Sequence, residues 1–108
     1  IGVLGSHPGT LEGAADALRA EAAGQDTPIR IKTRFCSGAF EALMRDDWHS
    51  HNEIVRSNLL ELAGEVDVVI APQPSVEKAI LETGETDWGV PVLTGAKLSI
   101  ALLKSSLE

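Results

Sequence analysis

Along the first third of the chain the apolar positions change rhythm twice. Residues 1–5, IGVLG, form a short apolar run closed by glycine, which suits a buried strand. From Leu11 the apolar positions fall at Leu11, Ala14, Ala15, Leu18 and Ala22, the spacing of one helix face. Thr10 is placed to cap this helix, Gly24 to stop it, and residues 26–28, DTP, to turn the chain. Residues 29–35, IRIKTRF, then alternate apolar and polar, so this strand has one buried and one solvated face and belongs near a sheet edge.

The helical rhythm returns from about Gly38 to Glu65, with a break expected near Asp46 and Asp47. Val55, Leu59, Leu62 and Val66 keep helical intervals, and Gly64 stands near the stop. Residues 66–71, VDVVIA, predict a second strand that is buried. Val76, Ala79, Ile80 and Thr83 mark another helix, ended by Gly84. Residues 90–93, VPVL, predict a last short strand, whose proline cannot donate to a ladder and so places it at an edge. Residues 97–104 predict a final helix.

Strands alternating with helices argue for a parallel sheet covered by helices on both faces. The expected architecture is a single flavodoxin-like, three-layer α/β domain over residues 1–108. A sheet of order 2-1-3-4 puts the two apolar strands in the middle and the alternating and proline-bearing ones outside. The final helix departs from the pattern. Leu98, Ala101 and Leu102 lie on one face, and Ile100, Leu103 and Leu107 on another. A single sheet covers one of these, so a missing partner half-domain or a second copy of the chain is expected against this helix.

Composition narrows the class. The chain has 108 residues, 44% hydrophobic and 23% charged, the balance of an ordinary globular domain. Its formal net charge of −7 argues against nucleic acid as a partner. No apolar run approaches the roughly 18 residues of a membrane helix, so no membrane is expected. One cysteine excludes an internal disulfide and fits a cytoplasmic protein. The chain starts without Met, in what reads as strand interior, and is expected to be a piece of a longer protein.

In an open parallel sheet, ligands bind beyond the carboxyl ends of the strands where strand order reverses. In order 2-1-3-4 that point lies between the first and third strands. Two loops meet there, Gly5–Thr10 and Ala71–Ser75, both leading into helix N-termini that favour an anion. The candidate ligand-binding residues are Gly5, Ser6, His7, Gly9, Thr10, Gln73 and Ser75. A small carboxylate or phosphate is the natural guest. Helix capping alone accounts equally well for Thr10 and Ser75. Other groups are weaker candidates. His49 and His51 do not share a helix face and lack the His-x-x-x-His zinc spacing, so no metal site is expected. Cys36 reads as a packed thiol rather than a nucleophile.

With these loops placed, the chain resembles the second half of the aspartate/glutamate/hydantoin racemase superfamily. The matching stretches are residues 1–10, IGVLGSHPGT; the span from residues 38–43, GAFEAL, through 66–71, VDVVIA; and residues 90–94, VPVLT. The resemblance implies two similar α/β halves facing each other across a cleft, with the first loop helping to hold a substrate carboxylate. Each half offers a cysteine for proton transfer, without a cofactor. Here the aligned turn reads APQPS, and Gln73 stands where the family has its second cysteine. An amide neither abstracts nor returns a proton, but it does hydrogen-bond.

The resemblance therefore implies binding of a small carboxylate or amino-acid-like ligand, without racemase activity in the isolated chain. A partner half that supplied a cysteine would make the assembly an isomerase or a related lyase. Two alternatives belong to other classes: a flavodoxin-like module for FMN or phosphate, and a non-catalytic assembly domain. With no Tyr and two Trp far from the loops, the chain offers no obvious flavin sandwich.

Overall fold

The computed structural model describes residues 1–24, 29–85 and 87–94. Strand β1 spans Gly2–Gly5, helix α1 Pro8–Gly24 and strand β2 Lys32–Phe35. Helices α2, Ala39–Met44, and α3, Trp48–Ala63, lead to strand β3, Val69–Ala71. Helix α4, Pro74–Glu82, and strand β4, Val92–Thr94, complete the order. The four strands form one parallel sheet in the order β2-β1-β3-β4. The expected three-layer α/β architecture is the one observed.

The pleat divides the core into two layers. On β1, Val3 joins Leu11, Leu18 and Ile70 beneath α1, whereas the next residue, Leu4, joins Val55, Leu59, Leu62, Val69 and Val76 beneath α3 and α4. On β3, Val69 and Ala71 face the second layer and Ile70 the first. Successive side chains point to opposite faces, so a strand apolar at every position feeds both cores. β1 and β3 are buried throughout, while β2 and β4 are partly exposed, as strands at the margins should be. Charge covers the outer strand: Lys32 pairs with Glu65, and Arg34 reaches Asn58 and Glu61.

Several boundaries differ from the sequence reading. β2 begins at Lys32 rather than Ile29, β3 at Val69 rather than Val66, and β4 runs Val92–Thr94 rather than 90–93. The apolar residues left outside still pack: Ile29 and Ile31 line the α1 layer, and Val66 and Val90 the other. Hydrophobic pattern reports burial, and burial extends past the ladder. The long helical region is two helices, broken at the expected place. Asp46 turns the chain at φ 57°, and Asp47 caps α3 by accepting the Ser50 N–H at 3.1 Å. That bond holds the Asp47 carboxyl below its usual range.

The turn at residues 26–28 and the final helix at 97–104, with the association expected through it, lie outside the described residues. No helix among the described residues is long and apolar enough to cross a membrane.

Candidate functional site

The two loops expected to meet at the reversal of strand order do meet, through Gln73. β1 and β3 are neighbours, and each is followed by a turn built the same way. After Gly5 come Ser6, His7 and Pro8; after Ala71 come Pro72, Gln73 and Pro74. In both turns a proline opens the helix, where its missing N–H costs nothing and its fixed φ suits the first turn. The residue before it is held extended by the proline ring, as Gln73 is at φ −81°, ψ 133°.

This corrects the assignment of the helix caps. α1 starts at Pro8, so Thr10 sits inside its first turn. The capping position belongs to His7: its carbonyl accepts the Leu11 N–H at 3.0 Å, and its ring Nδ1 lies 3.4 Å from the Thr10 N–H. Likewise Ser75 is inside α4, and Gln73 precedes the helix, its carbonyl accepting the Glu77 N–H at 2.9 Å. The serine and threonine attracted the assignment because their side chains cap most often. The prolines decided it.

The Gln73 side chain does not turn back onto its own helix; it makes no capping bond there. It crosses to the other loop. Its Oε1 accepts the backbone N–H of Ser6 at 2.6 Å, and its Nε2 lies 3.4 Å from Ser6 Oγ. Ser6 is 3% exposed, so its N–H needs a partner within the protein. Gly5 makes room: a Cβ there would stand 2.7 Å from Oε1. The proline-flanked glutamine thus ties together two turns that are 67 residues apart in sequence.

Of the other candidate residues, His7, Gly9 and Thr10 are exposed and Ser75 is half-buried at the start of α4. The amides of Gly9, Ser75 and Val76 have no acceptor among the described residues, being first-turn groups of α1 and α4. The His7 ring stands edge-on to Phe40, with centroids 6.3 Å apart, and Phe40 is 44% exposed. Sequence reasoning missed Phe40. It lies on α2, and only the β2–α2 turn, tied back by the Cys36 N–H to the Gly5 carbonyl at 2.7 Å, brings it beside the first loop.

Cys36 lies next to these loops but is fully buried. Burial pushes its thiol up from 9.0 to about 12, against a smaller opposing pull from Arg34. A thiolate is the reactive form, so this thiol is inert at neutral pH.

His49 and His51 part company, as helical spacing requires. His49 is exposed, whereas His51 is buried between α3 and its neighbours. A closed circuit of side-chain contacts runs through it. Lys78 lies 4.2 Å above the Trp48 ring, Trp48 stands edge-on to His51, and His51 Nδ1 meets Asn52 Oδ1 at 2.9 Å. Asn52 donates to Glu82, which pairs with Lys78. His51 Nε2 is left without a partner among the described residues. No group of three or more His, Cys, Asp or Glu among the described residues is arranged to hold a metal.

Comparison of the chain with protein-family models, with curated proteins and with solved structures finds no match.

Proposed function

We propose that this domain binds a small carboxylate or amino-acid-like ligand at the carboxyl edge of its sheet, between β1 and β3, as one half of a racemase-like protein. The observation that carries the reading is the bond from Gln73 to Ser6. It draws the N-terminal ends of α1 and α4 to the reversal of strand order, where open parallel sheets take their ligands. The free amides of Gly9, Ser75 and Val76 and the positive ends of two helices favour an anion there. Ser75 and Thr10 add hydroxyls. The exposed rings of Phe35 and Phe40 border the same edge, a surface suited to a covering partner half.

The isolated chain is a binding domain and not a racemase. Racemisation needs a proton removed from one face and returned to the other, and Gln73 supplies neither step. Cys36, buried and held protonated, supplies neither. The thiol without a disulfide partner in the chain suits a reducing, cytoplasmic setting.

An NMR titration with aspartate, glutamate and acetate tests the reading. The amides of Gly9, Ser75 and Val76 are expected to shift first and to saturate. Shifts confined to residues 49–53, or none, would refute it.

A further inference from the structure

Ser6 presents two donors, its backbone N–H and its hydroxyl, and both face the Gln73 carboxamide. The orientation of that carboxamide is dictated by chemistry. A backbone N–H can only donate, so the atom 2.6 Å from it is the oxygen, and the amide nitrogen necessarily turns toward Ser6 Oγ. The second contact is correspondingly poor, 3.4 Å long, and it uses the hydroxyl as an acceptor. The hydroxyl proton is not given to Gln73. A carboxamide therefore matches half of what Ser6 offers.

A carboxylate matches all of it. Its two oxygens accept from both the N–H and the O–H, and as a charged acceptor it forms bonds roughly twice as strong as those of a neutral amide. We propose that the Gln73 carboxamide is a built-in occupant of a carboxylate seat at Ser6, displaced when a ligand carboxylate takes both Ser6 donors. This rests on the carboxylate-binding reading above and specifies its central contact. The fit of the surroundings supports the proposal. Gly5 leaves open the volume that the oxygen occupies, and Pro72 and Pro74 fix the backbone from which the side chain reaches over. The Gln73 side chain is only partly buried, so it has solvent to move into. Displacement leaves no buried group unpaired, because the ligand oxygen replaces Oε1 at the Ser6 N–H.

The test compares the parent chain with Gln73→Ala and Gln73→Glu by NMR, using acetate as the probe and sodium chloride at equal ionic strength as the control. In the parent, the Gln73 side-chain NH2 signals are expected to move to the position of a solvent-exposed glutamine, with the same midpoint as the Ser6 amide shift. Gln73→Ala, with the seat vacated, is expected to bind acetate at least ten-fold more tightly. Gln73→Glu carries its own carboxylate into the seat. It should show the Ser6 amide already at its acetate-saturated position and should not respond to acetate.

If Gly9 and Ser75 saturate with acetate while Ser6 and the Gln73 NH2 stay still, this inference is wrong and the carboxylate reading stands. If no amide moves in any of the chains, both are wrong. Should Gln73→Ala fail to fold, the parent and Gln73→Glu measurements decide by themselves.

Discussion

Gly5 and Gln73 depend on each other: a Cβ at residue 5 would stand 2.7 Å from the Gln73 Oε1 and 3.3 Å from Leu11 Cδ1. The glutamine's far end can retreat from a methyl group at little steric cost. Retreat, however, leaves the buried Ser6 N–H without its acceptor, a loss of about 1–3 kcal/mol. Gly5→Ala is therefore expected to destabilise the domain by about that amount in urea unfolding. In a Gln73→Ala background the same change should cost much less, because the bond is already gone. Equal costs in both backgrounds would show that the contact is not what Gly5 protects.

Cys36 should resist modification. Its thiol is raised to about 12 by burial and lies at 0% exposure, so iodoacetamide at pH 8 is expected to label it only through unfolding. The sign of the pH effect follows. A folded-state value above the unfolded one makes the neutral thiol's contribution fully present below about 9.0 and progressively lost as pH rises toward about 12. Cys36→Ala should remove that alkaline limb from the stability profile. Labelling of the native chain as fast as that of a denatured control would contradict the buried position.

His51 combines complete burial with an unpartnered Nε2 among the described residues, and leaving a polar group in that state costs about 1–3 kcal/mol. Phenylalanine keeps a ring against Trp48 and removes that cost while giving up the bond to Asn52. His51→Phe should leave stability unchanged or raise it by up to about 1 kcal/mol. His51→Ala should lower it by about 2 kcal/mol or more, through the cavity it opens. Thermal unfolding of the two variants separates packing from polarity. A His51→Phe chain as unstable as His51→Ala would mean that the imidazole nitrogens hold the α3–α4 contact.

The isolated chain should not exchange the α-proton of amino acids. Gln73, in the turn after β3, is an amide tied to Ser6, and Cys36, in the turn after β2, is a buried thiol held protonated, so neither supplies the proton transfer that racemisation needs. Incubation of aspartate, glutamate or a hydantoin with the chain in deuterium oxide is expected to give no incorporation above the uncatalysed rate. Incorporation abolished by Gln73→Ala would overturn this.

Local pattern alone was sufficient for the class of fold, the order of elements and the order of the strands. Strands apolar at every position, such as residues 69–71, can only serve two cores at once and so lie in the middle. A strand whose faces differ, or one that carries Pro91, has to lie at the margin. The same logic brings the loops after β1 and β3 together, because the strand order makes these two strands neighbours. Sequence also marked Gln73 as unusual, because two flanking prolines fix its backbone.

What Gln73 does there was settled by tertiary structure. Its partner, the Ser6 N–H, is 67 residues away, and no local signal announces which buried amide will lack an acceptor. The caps at His7 and Gln73, the approach of Phe40 to the first loop and the burial of Cys36 and His51 are of the same kind. Periodicity describes which side of an element is apolar, and that property is local. Which polar atoms remain unpaired, and which distant side chain is near enough to satisfy them, depends on how the finished layers pack.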